Sequence, residues 1–205
     1  EFENVSFTYQ GAGAPSLTNI TFTAKKGETV GVIGGTGSGK SSLISLIPRF
    51  YDATSGHVLL NGQDVKSLSH ETLTRRVGVV QQKSVLFQGS IRDNLKWGDE
   101  TASDGDLWAA LDTAQGSEVV EKKDGRLDFK LEQNGRNLSG GQKQRLCIAR
   151  TLVKKPEILI LDDSSSALDF ATDAALRRAI HKLEGSVTTF LVSQRIACVR
   201  SADQI

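Results

Sequence analysis

Short apolar runs recur along the chain, and they follow two different patterns. Near the N-terminus, EFENVSFTY and NITFTA alternate apolar with polar residues, which is typical of half-buried antiparallel strands. Four later runs are almost continuously apolar and rich in β-branched residues: ETVGVIG, RVGVVQ, EILILD and VTTFLVS. Strands buried on both faces of a parallel sheet have this second pattern. The chain is therefore predicted to contain a small N-terminal antiparallel sheet and a parallel core sheet.

Segments with helical periodicity separate the predicted strands. They span residues 39–49, 104–115, 140–153, 172–184 and 195–201. Alternating strand and helix signals predict an α/β fold. The stretch between VVQQ and EILILD has helical periodicity without a buried-strand signal, so we expect a helical insert there. With 205 residues, 38% of them hydrophobic, the chain is long enough for one domain with its own core.

Composition narrows the classes of partner. The 25 Lys and Arg residues balance the 24 Asp and Glu residues, so no overall field favours nucleic acid or an anionic membrane surface. Cys147 and Cys198 lie in apolar stretches, which favours buried free thiols over a disulfide. No apolar run approaches the roughly 18 residues of a membrane span. The chain has no methionine and starts abruptly in EFENVSFTY, so we expect it to be part of a longer protein.

The first chemical motif follows the predicted strand TVGVI. Residues 34–41, GGTGSGKS, match G-x-x-x-x-G-K-[ST], with Gly34, Gly39, Lys40 and Ser41 at the fixed positions. Such a loop turns its N–H groups towards phosphate, Lys40 is expected to reach the β- and γ-phosphates, and Ser41 to bind Mg²⁺. A glycine-rich turn without a ligand is the structural alternative. The predicted ATP-binding residues here are Gly34, Gly35, Thr36, Gly37, Ser38, Gly39, Lys40, Ser41 and Ser42.

The second motif is ILILDDSSSALDF, residues 158–170, in which an apolar strand ends in two aspartates. A carboxylate at the end of a buried strand near a phosphate loop can hold Mg²⁺, usually through water, and Asp162 is predicted to do so. Capping of the next turn is the alternative for Asp162. The strand-end position gives no role to its neighbour Asp163.

The third motif is NLSGGQKQRL, residues 137–146. Ser139 and Gln142 have the spacing of a helix capping box, and Gly140 and Gly141 leave the first backbone amides of the helix uncovered. Such a helix start can bind anions. A well-capped helix without a ligand would have the same sequence, so the residues alone leave both possibilities open.

LSGGQ, placed between a phosphate loop and an aspartate-ended strand, resembles the signature of the ATP-binding cassette (ABC) ATPases, and the resemblance extends over essentially the whole chain. It implies ATP and Mg²⁺ as ligands, with residues 139–142 contacting ATP. Tyr9 resembles the family's adenine-stacking aromatic residue, although a strand tyrosine that packs on a neighbour would look alike. Gln82 resembles the family's glutamine that contacts Mg²⁺ and couples the nucleotide site to the transmembrane partner. Gln81 is the less favoured candidate for this position.

Further segments resemble the exporter branch of this family. SALD, residues 166–169, resembles the D-loop, and RFYDATSGHVLLNGQDV and VLFQGSIRDNL are similar to exporter sequences. The resemblance implies transmembrane domains N-terminal in the same polypeptide, a location on the cytoplasmic face of a membrane, and no nucleic-acid partner. It also implies a second ABC nucleotide-binding domain, because two domains of this family close head to tail around two ATP molecules.

Two positions depart from the family pattern. Asp163 stands where the family has a glutamate that polarises the attacking water, and its carboxylate is one methylene shorter. A general base must reach its proton, and its help contributes about 10²- to 10⁴-fold in rate. Gln194 stands where the family has a histidine at the γ-phosphate, and it cannot carry charge or shuttle a proton. The three histidines are His57, His70 and His181.

These departures resemble the degenerate-site subunit of heterodimeric multidrug exporters, in which one composite site mainly holds ATP. Asp163, Gln194 and Gln82 are then the predicted catalytic residues of a slow site, while Ser41, Gln82 and Asp162 are the predicted Mg²⁺ ligands. The segment before the signature, NGRNLSGGQ, also departs from the usual acidic form. One alternative is a competent homodimeric exporter ATPase. Another is a soluble ABC clamp on ribosomes or DNA. It predicts tandem cassettes or a coiled-coil insert, together with a basic surface, and this sequence has none of these features.

The predicted fold is therefore a P-loop NTPase core with an N-terminal antiparallel β subdomain and an inserted α-helical subdomain. We expect one nucleotide-binding domain over residues 1–205, truncated at its C-terminus. Residues 1–83 and 154–205 would form the ATP-binding core, and residues 84–153 the helical part that carries the signature.

Overall fold

The computed structural model describes residues 1–183 and 187–205, without the side chain of Ser165. Its strands are Phe2–Phe7 (β1), Leu17–Phe22 (β2), Thr29–Ile33 (β3), Ser55–Leu60 (β4), Gln63–Asp64 (β5), Val77–Val80 (β6), Gly89–Ser90 (β7), Lys130–Leu131 (β8), Ile158–Asp162 (β9) and Thr188–Ser193 (β10). Its α-helices are Lys40–Ser45 (α1), His70–Arg76 (α2), Ile91–Lys96 (α3), Asp104–Thr113 (α4), Ser117–Glu121 (α5), Gly140–Val153 (α6), Phe170–His181 (α7) and Ile196–Val199 (α8). Short 3₁₀ helices cover Val65–Ser67, Arg126–Asp128, Gln133–Gly135 and Ser164–Ala167.

The strands form the two kinds of sheet that the sequence predicts. One sheet has the order β2-β1-β4-β5, and its paired strands are antiparallel. The second has the order β3-β10-β9-β6, in which β10 runs parallel to both β3 and β9. Every residue of β10 is buried, as expected for the central strand of a parallel sheet. Parallel neighbours require crossover connections, which the helices between these strands provide.

The chain forms two compact units. The core unit consists of Glu1–Val79, Glu157–Asp162 and Thr188–Ile205, and the helical unit consists of Val80–Pro156 and Asp163–Val187. One of the four boundaries between the units falls between the adjacent residues Asp162 and Asp163. In the part of the chain that the structure describes, no helix is long and apolar enough to cross a membrane.

Aromatic and aliphatic side chains from both sheets pack together inside the core unit. Phe2 of β1 stacks on Phe22 of β2 with ring centroids 4.7 Å apart, and Phe22 meets Phe190 of β10 edge-on. Val58 of β4 and Ile160 of β9 belong to the same buried cluster. Helix α1 packs on β10, and α8 packs on β3 and β10.

Helix α6 is the centre of the helical unit. It packs against α3 and α4, and the seam is formed by fully buried leucine and isoleucine side chains. The strands β7 and β8 pair antiparallel beside this bundle. Both cysteines, Cys147 of α6 and Cys198 of α8, are buried and free, which confirms the expectation from the sequence.

The predicted helix boundaries need correction at several places. Helix α1 ends at Ser45 instead of residue 49, because Pro48 lacks an N–H and disfavours helical backbone at the residue before it. Helix α7 begins at Phe170, earlier than predicted, because the Asp169 side chain caps it; it ends at His181, and residue 184 lies outside the described residues. Helix α8 is also shorter than the predicted 195–201.

The helical insert differs from its prediction as well. The ladder of β7 and β8 falls within it, although we expected no buried strand there, and Ser90 and Leu131 are buried. Strands of two residues carry no readable alternation, so hydrophobic patterning cannot detect them. The sequence analysis also did not predict the short helices α2, α3 and α5 or the strand β4.

Candidate functional site

The carboxyl edge of the parallel sheet in the core unit carries the glycine-rich loop, Asp162 and Gln194. The register pairs the last residue of β10 with the last residue of β3, so Gln194 and Gly34 leave neighbouring strands at the same level. Asp162, the last residue of β9, pairs with Val192 on the other side of β10. Open α/β sheets bind ligands beyond the carboxyl ends of their strands. This edge is therefore the candidate nucleotide site.

The glycine-rich loop between β3 and α1 holds the Lys40 ammonium group. Its Nζ donates hydrogen bonds to the carbonyl oxygens of Gly34 (2.8 Å) and Gly35 (2.6 Å) and lies 3.3 Å from the Ser38 hydroxyl oxygen. Lys40 is the first residue of α1, so the helix start fixes its backbone. The lysine charge is thereby held against the loop in which a phosphate is expected to bind.

The backbone of this loop needs glycine for two different reasons. Gly39, the N-cap of α1, has a φ of +87°, and a Cβ there would lie 2.8 Å from the carbonyl oxygen of Ser16. Gly37 also has a left-handed φ of +79°, but among the described residues no heavy atom lies within 4 Å of its Cβ position. The Cβ position of Gly35 is equally open. The loop is thus pinned at Gly39 and leaves room for a ligand at Gly35 and Gly37.

Tyr9 lies just beyond the end of β1, in the core unit. Its hydroxyl forms a 3.0 Å hydrogen bond with Oγ of Ser42 in α1. Its ring packs against Phe7 and Tyr51, yet 36% of the residue is exposed. Tyr9 therefore packs on its neighbours and still presents an aromatic surface next to the helix of the phosphate loop.

The second aspartate, Asp163, is held by a glutamine of the helical unit. The amide Nε2 of Gln82 donates a 3.0 Å hydrogen bond to Oδ2 of Asp163. The backbone of Asp163 has a φ of +44°, in the left-handed region, which aspartate tolerates better than glutamate. The structure thus brings two of the three predicted catalytic residues together. It also gives position 163 a local conformational preference for the shorter side chain.

The start of α6 has the capping box that the sequence predicts. The Ser139 hydroxyl accepts a hydrogen bond from the backbone N–H of Gln142 (3.3 Å), and the Gln142 side-chain oxygen accepts one from the N–H of Ser139 (3.0 Å). Ser139 and Gly140 are exposed. These residues belong to the helical unit, whereas the glycine-rich loop belongs to the core unit.

The segment that resembles the D-loop packs against this helix start. A Cβ at Gly141 would lie 3.0 Å from the carbonyl oxygen of Ala167, so glycine permits the close backbone approach. Asp169 then caps α7: the backbone N–H of Thr172 donates to its carboxylate over 2.9 Å and holds the pKa of Asp169 below its usual value. Both contacts lie within the helical unit.

A set of polar residues that sequence reasoning missed anchors the segment after Gln82. The Ser84 hydroxyl donates to the side-chain oxygen of Gln144, and Arg150 Nη2 donates to the carbonyl oxygen of Val85 over 3.1 Å. Gln144 and Arg150 lie on α6, so this helix supports both the LSGGQ segment and the segment that follows Gln82. Gln144 is completely buried on α6. A polar residue among the core-facing positions of a helix was the signal that could have identified it.

The predicted Mg²⁺ ligands fit the metal by the chemistry of their donors. Ser41 offers a hydroxyl, Asp162 a carboxylate and Gln82 an amide oxygen, and Mg²⁺ prefers such hard oxygen ligands, together with phosphate oxygens and water. Ser41 and Asp162 lie in the core unit, and Gln82 lies in the helical unit. None of the three histidines lies at position 194, and His57 is paired with Asp64 over 2.6 Å.

A parallel sheet with a lysine-bearing glycine loop after one strand and an aspartate at the end of another defines a P-loop nucleotide-binding fold. Comparisons with known proteins make the assignment specific. The family model described as "ABC transporter" matches residues 17–166. The chain belongs to the ABC transporter family, as its ATP-binding domain.

Relatives and solved structures agree with this family. The chain is 45% identical over 205 residues to the uncharacterized ABC transporter ATP-binding protein YfiB of Bacillus subtilis. The aligned region covers 100% of this chain and 35% of that protein. It is 42% identical over 205 residues to the beta-(1→2)glucan export ATP-binding/permease protein NdvA of Rhodopseudomonas palustris, with 34% of that protein covered. A bacterial Atm1-family ABC exporter with ATP bound matches 98% of this chain and 35% of its own, with 34% identity and a TM-score of 0.92. The chain thus spans about a third of the length of the curated relatives that it matches.

Proposed function

We propose that this chain is the ATP-binding domain of an ABC exporter that binds Mg–ATP well and hydrolyses it slowly at its own site. One observation carries the proposal: the phosphate loop is intact, whereas the residue after the strand-end aspartate is Asp163, with a short carboxylate already hydrogen-bonded to Gln82. Binding and hydrolysis depend on different residues of the site, so the first can persist when the second is weakened.

Binding rests on the core unit. Lys40 supplies the positive charge for the β- and γ-phosphates, the loop residues from Gly34 to Ser42 supply backbone and hydroxyl donors, and Tyr9 supplies a stacking surface for adenine. Ser41 and Asp162, with Gln82 of the helical unit, would hold Mg²⁺. The bound metal supplies charge neutralisation for the phosphates.

Hydrolysis rests on Asp163 and Gln194. A carboxylate at position 163 would polarise the attacking water. In Asp163, however, Oδ2 already accepts a hydrogen bond from Gln82, and the side chain is one methylene shorter than that of glutamate. Gln194, at the end of β10, can donate a hydrogen bond to the γ-phosphate but adds no positive charge. Each residue retains the position of a catalytic group and lacks part of its chemistry, which favours slow turnover.

The proposed partner is a second, different nucleotide-binding domain. The capped helix start at Ser139, with Gly140 and Gly141 behind it, would cover the ATP of that partner in a head-to-tail dimer. This chain would then contribute a working signature to the partner's site and a weak base to its own. Such a division corresponds to the degenerate-site subunit of a heterodimeric exporter, including those of the multidrug type.

The proposed architecture follows the relatives. Residues 1–205 would form one nucleotide-binding domain, with residues 1–83 and 154–205 as the ATP-binding core and residues 84–153 as the signature-bearing helical part. This proposed division follows the motifs and differs from the division by packing, in which Asp163–Val187 belongs to the helical unit. The wider protein would add transmembrane domains on the N-terminal side and place this domain on the cytoplasmic face of a membrane. The name of NdvA includes both "export" and "permease", which supports an exporter. Transmembrane helices outside this chain would select the exported substrate.

The experiment that tests this proposal measures binding and turnover on the same preparation. We expect the purified chain to bind ATP in the presence of Mg²⁺ in a calorimetric titration and to release inorganic phosphate slowly. Lys40→Ala should abolish binding, because it removes the charge that faces the phosphates. Arg75→Ala is a matched control, since that exposed cation pairs with Glu71 on α2. Fast turnover by the unmodified chain would contradict the proposed slow site.

A further inference from the structure

An aromatic cluster in the core unit surrounds the side chain of Tyr9. The ring of Tyr9 meets Phe7 edge-on at 4.6 Å between centroids and Tyr51 edge-on at 5.2 Å, with interplanar angles of 74° and 85°. Phe7 and Tyr51 also contact each other at 5.5 Å. Two nearly perpendicular ring contacts, together with the hydroxyl bond to Ser42, restrict both the position and the tilt of the Tyr9 ring.

The segment that carries Tyr51 is itself well fixed. The backbone of Arg49 takes a left-handed φ of +57°, and its guanidinium donates to the Asp52 carboxylate over 2.8 Å. The same guanidinium donates to the carbonyl oxygen of Lys66 over 3.0 Å, which ties the segment to the rest of the core unit. A residue held in this way can fix the orientation of a neighbouring ring.

We propose that Tyr51 is a positioning residue for nucleotide binding, which holds the ring of Tyr9 in the plane that the adenine base stacks on. This inference rests on the proposed function, in which Tyr9 contacts the base. Phe7 is buried and forms part of the core, whereas 47% of Tyr51 is exposed, so Tyr51 can be changed with little effect on the fold. The contribution of Tyr51 should then appear only for ligands that have a base.

The test compares two ligands, Mg–ATP and Mg–tripolyphosphate, by calorimetric titration of the full chain. Tyr51→Ala should weaken ATP binding about two- to tenfold, the range expected for one aromatic pair, and leave tripolyphosphate binding unchanged. Tyr51→Phe, which keeps the ring, should retain wild-type affinity for both ligands. Phe50→Ala is the matched control: Phe50 is 51% exposed and, within the described residues, makes no ring contact with Tyr9.

A double-mutant cycle shows whether Tyr51 acts through Tyr9. In the Tyr9→Ala background, Tyr51→Ala should cause no further loss of ATP affinity, because the ring that it orients is gone. Additive losses would overturn the proposal, as would an equal loss of tripolyphosphate binding or no effect of Tyr51→Ala in the wild-type background. If Tyr9→Ala itself leaves ATP binding unchanged, the stacking role of Tyr9 fails, and this proposal fails with it. If Tyr9→Ala weakens ATP binding and Tyr51→Ala does not, the proposed role of Tyr51 is overturned and that of Tyr9 is preserved.

Discussion

Three glycines of the phosphate loop allow steric and conformational effects to be separated within five residues. Gly35 has an ordinary φ and an open Cβ position, Gly37 has a left-handed φ and an open Cβ position, and Gly39 has a left-handed φ and a Cβ position 2.8 Å from the carbonyl oxygen of Ser16. Alanine substitution therefore adds no strain at the first, backbone strain at the second, and strain plus a backbone clash at the third.

The expected losses of unfolding free energy follow from these geometries. Gly35→Ala should lie within about 0.5 kcal/mol of wild type, and it can be slightly stabilising because alanine restricts the unfolded chain. Gly37→Ala should cost about 1–2 kcal/mol, the penalty of left-handed backbone for a residue with a Cβ. Gly39→Ala adds an overlap that costs about 1–3 kcal/mol more, so its total should be about 3 kcal/mol.

Urea unfolding followed by circular dichroism measures this series. With an m-value of about 2 kcal/mol per molar urea, each 1 kcal/mol shifts the midpoint by about 0.5 M, so the three variants should be clearly ordered. Gly39→Ala should also weaken ATP binding, because the clash displaces the loop that holds Lys40. Equal destabilisation by Gly35→Ala and Gly39→Ala, or a Gly39→Ala variant as stable as wild type, would refute the reasoning from loop geometry.

Two further predictions concern an ion pair and the proposed partner. The hydrogen bond from Arg76 (2.8 Å) holds the pKa of Glu157 below its ordinary value of 4.5. This half-exposed ion pair therefore stabilises the fold above about pH 4.5. The stabilisation is lost as the pH falls through the pKa of Glu157 in the folded state. Glu157→Gln should thus lower the urea midpoint slightly at pH 7 and match wild type near pH 2, and an equal deficit at both pH values would contradict this origin. In the assembled transporter, Ser139→Arg should stop steady-state ATPase activity while Asp163→Ala has a much smaller effect. The reverse order would show that this chain's own site carries the turnover.

Much of the fold could be predicted because its strands have clear hydrophobic patterns. The buried runs before Gly34 and Asp162 became β3 and β9, and the run before Gln194 became the central strand β10. Local motifs were also readable, since a capping box such as that of Ser139 depends on residues three positions apart. Fixed spacing and periodicity are therefore what the sequence expresses most directly.

Features that depend on distant residues were not predictable in this way. The hydrogen bond from Gln82 to Asp163 joins residues 81 positions apart, and the left-handed backbone of Asp163 has no signature in the sequence. The contact of Ser84 with buried Gln144 likewise forms only when the insert packs around α6. Motif spacing predicted the phosphate loop and Asp162, whereas the roles of Tyr9, Gln82, Asp163 and Gln194 came from the family resemblance. The contacts among these residues required the packed chain.

The central claim is that Asp163 and Gln194 together make this chain's own ATP site slow. Single-turnover hydrolysis at that site tests it most directly, measured in the assembled transporter. If the proposed partner domain carries a catalytic glutamate, that residue is neutralised first. Wild type and Asp163→Asn, which keeps the side-chain size and removes the charge, should both be slow.

The combined variant Asp163→Glu/Gln194→His should hydrolyse ATP well over tenfold faster than wild type. A general base that reaches the attacking water raises the hydrolysis rate about 10²- to 10⁴-fold. This gain is larger than the rate loss that a backbone strain of about 1 kcal/mol would cause for glutamate at a φ of +44°. Either change alone should give less, because the two groups act as a unit. No gain in the double variant, with hydrolysis lost in Asp163→Asn, would contradict the account and identify Asp163 as a working base.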